Sequence, residues 1–570
     1  MKRVVALVLA LVAPVVATVV APTAAFAANQ VVTSTLDSGP NTLRQAVTNA
    51  ANGDVITFQF GLPPVVLTTG SIIINKNLTI RGNGAANTSI TRSGGSAVPT
   101  FSVFVVNGGF TLTMDMVTVS GGASVNGAGI DNFGTLNLSR STVSGNLGLD
   151  AGEGTTRGVG LDNEIGATAT ITNSEVTGNT APNVFAVSGG GIFNSGTMSL
   201  ANSSVSNNTI SSFFDAVGGG IANQTPTSLT LTDTIVANNS ATVTSSAASG
   251  HGGGIHHQIG GLAVTSSIIR GNQVAGGASG GDGEGAGLYL NASATIDRSE
   301  ISGNSVTGGT TQEGGGVYVV SNGQTQSNVT ITNTTIANNT ARDDGAGVYN
   351  GDSGLAATNL LSDTVAGNIS SLGAAVLNDF GTLGLKNTIV NNPGSVTNCT
   401  GAITNNGNNL VFGGMVGTCP GINSDPVLGA LTDNGGVSGT MALGLNSGAL
   451  NGGAGCPTVD QRNYTRTGTC DIGAFDAGGV LTDNTPPTCG ITGLFFENPK
   501  KQTVAATDSP GRGLQSFSLQ PVQNGIIIVP FFLPRTNLAV ALTAIKMDQS
   551  QTTIWRYNAI DQAGNSKLCQ

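Results

Sequence analysis

The residues whose spacing suggests chemistry are three tyrosines and a histidine: His256, Tyr289, Tyr318 and Tyr349. Each directly follows an aliphatic residue that ends a short small-residue block, and the four occupy this position in consecutive repeats. If the blocks are strands, alternation turns the position outward. Stacked exposed rings would then form a flat strip that packs on sugar faces or peptide chains. The alternative is a ladder of rings that only protects the stack, so ligand binding and a structural role both stay open.

The three histidines of the chain are His251, His256 and His257. Imidazole is a common ligand of zinc and other transition metals. Alternation along a strand points His256 and His257 to opposite sides, so only His251 and His256 could share a site. No metal site is therefore predicted at the histidines.

Acidic residues recur in the segments of variable length between the repeats. Carboxylates there could bind Ca²⁺ or supply an acid–base pair roughly 5–10 Å apart. Solvated turn residues are the favoured interpretation, so the sequence predicts no cofactor and leaves Ca²⁺ as the one alternative. The residues concerned are Glu153, Asp215, Asp282, Glu284, Glu313, Asp343 and Asp344.

Charge excludes one class of partner. The chain has 31 acidic and 21 basic residues, a formal net charge of −10, and residues 121–398 hold 18 acidic against 6 basic side chains. No basic stripe is present, so nucleic acid is not expected as a partner. The sequence also has no nucleophile elbow, P-loop or dinucleotide fingerprint.

A repeat must position these residues. Within 121–398 an aliphatic residue, a second one five residues later and an Asn three residues after that recur eight times. The small-residue blocks interleave with this pattern. Short alternating segments rich in Val, Ile and Thr indicate half-buried strands, which bury their apolar faces only by stacking on neighbouring coils. We expect the asparagines to form an inward hydrogen-bonded ladder: Asn146, Asn179, Asn208, Asn239, Asn272, Asn304, Asn339 and Asn368.

This pattern resembles the right-handed parallel β-helix, the fold of pectin-lyase-like enzymes and many exported surface proteins. Residues 31–58 are similar to the entry segment of such proteins, and Leu43, Ala46, Val47 and Ala50 have the spacing of a helix that could cap the open end of the stack. The resemblance includes polysaccharide lyases, which need a base and charge neutralisation. However, no Lys lies between Lys76 and Lys386, and the arginines of the repeat occur singly.

The C-terminal part differs in composition. Segments such as Asp460-Gln461-Arg462 and Cys470-Asp471-Ile472-Gly473 are similar to the choice-of-anchor Q module, although a disulfide-stapled end cap is the favoured interpretation. Residues 486–570 contain the only Trp and resemble a small immunoglobulin-like β-sandwich. All six cysteines lie beyond residue 398, and sequence blocks favour the pairs Cys399–Cys419, Cys456–Cys470 and Cys489–Cys569.

The N-terminus has the basic start, apolar run and small residues of a secretory signal, and no later segment is long and apolar enough to span a membrane. The predicted fold class is all-β: a right-handed parallel β-helix with an N-terminal helical cap, followed by an immunoglobulin-like sandwich. The predicted regions are a signal peptide (1–27), cap and first coils (28–120), β-helix repeats (121–398), a C-terminal cap (399–485) and the sandwich (486–570).

The predicted function is that of a secreted or cell-surface, adhesin-like protein without enzymatic activity, binding a polysaccharide or another cell-surface ligand. The proposed ligand-binding residues are His256, Tyr289, Tyr318 and Tyr349. The alternative is a carbohydrate-active enzyme, a polysaccharide lyase or glycoside hydrolase, in which the tyrosines and the acidic loops form a sugar groove.

Overall fold

Stacked coils of parallel β-strands form most of the chain. The structure is a computed structural model that describes residues 29–570 except 95–96, 225, 246, 279, 322–325, 352–353, 481–482, 484, 497–498 and 509–512. Its parallel strands form sheets of 25, 14, 9 and 6 strands among the described residues. The fold class is therefore an all-β parallel β-solenoid. The predicted signal peptide, 1–27, lies outside the described residues.

One coil shows how the repeat becomes structure. Leu161–Asn163 and Thr168–Thr172 belong to the 25-stranded sheet, Glu175–Thr177 to the 14-stranded sheet and Thr180–Val184 to the 9-stranded sheet. Ala186–Ser188 then adds a strand to the 6-stranded sheet before the next coil begins at Ile192–Asn194. Each strand pairs in register with its equivalent one coil on, for example Ile171 with Leu200 and Val176 with Val205.

We call the 6-stranded sheet the wall sheet, because it faces the strands that carry His256, Tyr289 and Tyr318. Its strands are Thr155–Arg157, Ala186–Ser188, Ala216–Val217, Gly250–His251, Asp282–Glu284 and Thr311–Glu313.

The column strands, which carry the predicted aromatic positions, belong to the 25-stranded sheet. They are Ile130–Asn132, Leu161–Asn163, Ile192–Asn194, Ile221–Asn223, Ile255–His257, Leu288–Leu290, Val317–Val319, Val348–Asn350 and Ala374–Lys386.

The core follows the predicted repeat. The repeating aliphatic residues, such as Leu138, Ile171 and Leu200, are buried in one continuous cluster along the axis. The predicted asparagine ladder is confirmed: Asn146 Nδ2 donates to Asn179 Oδ1 at 2.8 Å, and the same bond recurs from coil to coil as far as Asn392. These buried amides satisfy one another, which removes the cost of leaving polar groups unpaired in the core.

A short helix, Leu43–Asn49, precedes the first complete coils. Thr42 caps it by accepting a hydrogen bond from the Gln45 backbone N–H, and its residues Leu43, Ala46 and Val47 are buried against the core. The helical spacing read from the sequence is therefore present. Within the described residues, no helix has the length and apolarity needed to cross a membrane.

Among the described residues, a small antiparallel pair, Leu428–Thr432 and Thr440–Leu443, follows the solenoid, and two larger antiparallel sheets lie nearer the C-terminus. Thr488–Phe495, Lys501–Thr507, Gly525–Ile528 and Val540–Lys546 form one, and Leu514–Leu519, Tyr557–Asp561 and Ser566–Cys569 form the other. Their buried residues share one apolar cluster around Trp555 and Tyr557. All three predicted disulfides are confirmed.

This C-terminal part packs along one corner of the solenoid. The corner residues Asn202, Asp233 and Arg298 have positive φ, a conformation that Asn and Asp tolerate better than most residues. Their side chains reach outward: Asn202 Oδ1 accepts from the Leu533 N–H at 2.8 Å, and Asp233 Oδ2 accepts from Thr536 Oγ1 at 2.6 Å. The turn residues of the coils thus also hold the C-terminal sheets.

Candidate functional site

The predicted aromatic column is present as a continuous stack. His256, Tyr289, Tyr318 and Tyr349 are register partners on neighbouring strands. Their ring centroids are separated in turn by 5.0, 5.3 and 4.5 Å, with interplanar angles of 17°, 13° and 16°. The stacking inferred from the sequence is confirmed, because in-register parallel strands place equivalent side chains directly above one another.

The expectation that the whole stack is exposed is wrong. Tyr318 is 0% exposed, Tyr349 3% and His256 4%, while Tyr289 is half-buried. The residues point away from the solenoid core, yet the chain covers them. A Cβ added at Gly314 or Gly345 would come within 2.5 Å of the Cβ atom of Tyr318 or Tyr349, so the backbone passes directly against these side chains.

The cover comes from segments that the sequence suggested were solvated turns. Asp282–Glu284 and Thr311–Glu313 pair as strands of the wall sheet. Tyr318 Oη donates to Glu284 Oε1 at 3.2 Å, and Tyr349 Oη donates to Asp379 Oδ2 at 3.3 Å. Tyr318 and Tyr349 also pack with Val320 and Leu377 in a small buried apolar cluster. Tyr289 is partly buried at the edge of this cluster.

At the Tyr289 end the stack borders a cleft of about 710 Å³. Phe193, His256 and Tyr289 line it from the column, and the wall strands Ala186–Ser188 and Gly250–His251 contribute to its opposite side. Between Phe193 and His256 the column holds the small residue Ala222. The polar side chains of Gln224, Gln258 and Asn291, which follow the column strands, complete the lining.

The histidines take the places that alternation predicts. His257 points inward, where its Nδ1 accepts from Asn223 Nδ2 at 3.0 Å and its Nε2 donates to the Ser293 carbonyl at 3.2 Å. His251 and His256 both line the cleft, with ring centroids 6.3 Å apart. Burial lowers the pKa of His256 to about 3, and the neighbouring His251 and His257 add to the shift. His256 is therefore neutral at physiological pH.

His251 and Arg157 are each paired with a carboxylate. His251 Nδ1 lies 3.0 Å from Glu284 Oε2. Arg157 Nη2 lies 2.6 Å from Glu164 Oε1, its Nε lies 3.6 Å from Asp162 Oδ2, and its guanidinium carbon is 5.1 Å from the centre of the Phe193 ring. These side chains are polar but already engaged.

Sequence reasoning missed a carboxylate group next to the cleft. One oxygen each of Asp131, Asp162 and Glu164 lies within 4.8 Å of the others. Burial raises the pKa of Asp131 to about 7 and that of Asp162 to about 8; Glu164 adds to both shifts and Arg157 opposes them. The signal was available, because Asp131 and Asp162 occupy consecutive positions of the same column.

The acidic residues singled out from the sequence do not converge on one site. Asp215 lines the cleft. Glu284 does not line it, but its Oε2 lies 3.0 Å from Nδ1 of His251, which does. Asp343 pairs with Arg342 at 2.7 Å, and Asp344 accepts from the Ala374 N–H at 2.7 Å. Calcium binding by these residues stays the untested alternative to solvated turns. Among the described residues, two groups offer three carboxylates within reach of one ion: Asp131, Asp162 and Glu164, and Asp483, Asp508 and Asp561.

An aromatic rim beside the cleft was also missed. Phe185 and Phe214 stack across neighbouring coils, with ring centroids 5.6 Å apart and planes 2° apart. Phe213 is 50% and Phe214 56% exposed. Phe214 directly precedes Asp215 of the cleft lining. These phenylalanines lie in the variable segments, where the sequence repeat gives no register.

Comparison with known proteins adds little to this picture. No family model and no curated protein matches the chain. A crystal structure of the pectate lyase Pel9A is similar, with 14% sequence identity and a TM-score of 0.36 over 79% of this chain and 97% of that one. The class that the coordinates define is a disulfide-containing parallel β-solenoid with a lateral cleft.

Proposed function

We propose that the protein is an exported, adhesin-like β-helix protein of the pectin-lyase-like type that binds a glycan in the cleft beside His256 and Tyr289, without catalysing a reaction. A parallel solenoid and three disulfides support an extracellular protein, since disulfides persist in oxidising compartments. The volume of the cleft falls within the range of small-molecule sites, roughly 300–1,000 Å³.

The observation that carries this proposal is the chemistry of the cleft lining. The Tyr289 ring lines one side of the cleft with its edge, because its two faces stack on His256 and Tyr318. Gln224, Gln258 and Asn291 supply amides that both donate and accept hydrogen bonds. The C–H groups of a sugar can contact the ring edge while its hydroxyls need paired donors and acceptors, so the combination suits a saccharide better than a purely apolar ligand.

A glycan panel with titration calorimetry tests the proposal. We expect at least one oligosaccharide to bind, and Tyr289→Ala and Gln258→Ala to weaken it about tenfold by removing ring contact and hydrogen bonds. Tyr349→Phe, which changes only a buried hydroxyl outside the cleft, is the control and should bind normally. Glycan binding that survives both cleft variants would place the ligand elsewhere and overturn the assignment.

A carbohydrate-active enzyme is the second candidate, and one observation favours it. Asp215, His251 and Arg157 are titratable or cationic groups in the same cleft, and partial burial raises the pKa of Asp215. A carboxyl with a raised pKa suits a general acid. Assays for new reducing ends and for near-ultraviolet-absorbing unsaturated products decide between the candidates: activity lost in Asp215→Asn would establish an enzyme.

We further propose that residues 1–27 direct export, that the helix Leu43–Asn49 caps the stack, and that residues 399–485 form a choice-of-anchor Q-like cap before an immunoglobulin-like sandwich. The burial of Asp460 and Arg462, joined at 2.6 Å, supports a structural end module, and two antiparallel sheets with a common core support the sandwich. N-terminal sequencing of exported protein, with cell fractionation, tests the signal and the attachment.

A further inference from the structure

The charges around the cleft are unevenly compensated. Arg157 is the only Lys or Arg side chain that lines it among the described residues, and Glu164 and Asp162 already engage its guanidinium. Glu284 Oε2 lies 3.0 Å from His251 Nδ1. Asp215 lines the cleft, and no described cationic side chain lies within ion-pair distance of its carboxylate; partial burial raises its pKa, and the nearby His251 opposes that shift.

This charge pattern disfavours an anionic ligand. A uronate carboxylate entering the cleft would meet Asp215 and the Glu164–Arg157 pair without an uncommitted cation to neutralise it. His256 supplies no charge, since its ring is buried and neutral. Like charges brought together at a recognition site reduce affinity and slow association, while opposite charges steer a ligand in.

The rim next to Asp215 supplies a second feature. Phe214, which directly precedes Asp215 in the chain, is 56% exposed and stacks on Phe185, so these two rings form a flat apolar surface. Exposed aromatic rings that adjoin a polar cleft are typical of binding surfaces rather than of solvent-facing strands. A ring with an apolar face and a cationic substituent would satisfy both features at once.

Resting on the proposed glycan function, we infer that the ligand is an oligosaccharide of amino sugars, whose ammonium group pairs with Asp215 while a pyranose face packs on Phe214. The ring contact gives affinity to any pyranose chain, and the ammonium pair distinguishes the amino sugar from its neutral counterpart.

Calorimetry with three chains of equal length tests this inference: β-1,4-linked glucosamine, the same chain fully N-acetylated, and oligogalacturonate. At pH 6.5 and low salt we expect the glucosamine chain to bind about fivefold more tightly than the acetylated chain, and the galacturonate not to bind. Salt at 0.5 M should remove the difference, because it screens exposed charges.

Variants separate the two contacts. Asp215→Asn should bring the affinity for glucosamine down to that for the acetylated chain, whereas Glu153→Gln, an exposed acidic residue outside the cleft, should not. Phe214→Ala should weaken both chains, whereas Phe380→Ala, which removes another ring that is 56% exposed, should weaken neither.

Failure of the amino-sugar inference and failure of the proposed glycan function give different results. Equal binding of the acetylated and free-amine chains, or tighter binding of galacturonate, overturns the inference and leaves a glycan cleft intact. Absence of binding by every member of the wider glycan panel overturns the proposed function itself.

Discussion

The two halves of the aromatic column differ although they share register, strand length and outward direction. In the closed half, Tyr318 and Tyr349 are almost completely buried between the column and the chain segments that cover it. In the open half, Phe193 and His256 are also almost completely buried, but they and the half-buried Tyr289 line a cleft of about 710 Å³. The backbone repeat is the same in both, so the side chains and the covering segments decide between core and cleft.

This difference shows how a solenoid can produce a site without changing its coils. Large rings on consecutive coils fill the closed half, whereas Ala222 interrupts the sequence of rings in the open half. A stack of rings in van der Waals contact is stabilising, and a gap in such a stack leaves space that water or a ligand occupies.

The largest expected effect is on stability in the closed half. Tyr318→Ala should destabilise the protein by about 3–5 kcal/mol, because a fully buried ring leaves a cavity, whereas Tyr289→Ala should cost about half as much or less. Calorimetric melting of both variants measures the difference. Equal losses in Tm would mean that the two halves are packed alike, contrary to the account.

A pH titration sharpens the comparison at the other end of the open half. Burial raises the pKa of Asp162 in the folded protein to about 8, above its ordinary value of 3.8. Its contribution to stability is therefore full below pH 3.8 and is lost as the pH rises through 8. Asp162→Asn should leave stability unchanged near pH 4 and raise it by about 2 kcal/mol or more at pH 8 to 9, because the buried charge is absent.

Denaturation of wild type and Asp162→Asn at several pH values checks this, with Glu153→Gln as the exposed control. If the stability of wild type and of Asp162→Asn changes with pH in the same way, Asp162 does not hold a proton in the folded protein, and the account is contradicted. A rise in Tm with added calcium that Asp162→Asn removes would show instead that the three carboxylates hold a cation.

The smallest effect concerns the contact that joins the closed half to the wall sheet. Tyr318→Phe removes the hydroxyl that donates to Glu284 Oε1 at 3.2 Å. We expect a loss of about 1 kcal/mol with glycan binding unchanged, as for a typical buried hydrogen bond. Binding weakened as strongly as by Tyr289→Ala would show that the closed half takes part in recognition.

Much of the fold was predictable because its determinants are periodic. The spacing of Leu138, Val143 and Asn146 specifies rows of buried aliphatic side chains and a ladder of hydrogen-bonded amides along the axis, and the structure has both. Stacking of Tyr289 on Tyr318 follows from the same repeat. The three disulfides follow from the grouping of cysteines into blocks: two close loops of 20 and 14 residues, and Cys489–Cys569, 80 residues apart, joins the first and last strands of the C-terminal sheets.

The site was less predictable because it depends on segments without a period. The repeat fixes the register of the column strands, but the length of Asp282–Glu284 and its neighbours varies, so their pairing as a wall sheet could not be derived. The burial of Tyr318 depends on that sheet, and so does the position of Phe214 at the rim. The carboxylate group was detectable in principle, since Asp131 and Asp162 are register partners.

The central claim is that the open half of the column binds a saccharide, and a crystal structure of the protein with a bound oligosaccharide measures this most directly. The account predicts sugar density in the cleft lined by Phe193, His251 and Tyr289, with hydroxyls bonded to Gln258 or Asn291. Density on another face of the solenoid or on the C-terminal sheets, with the cleft holding only water, would contradict it.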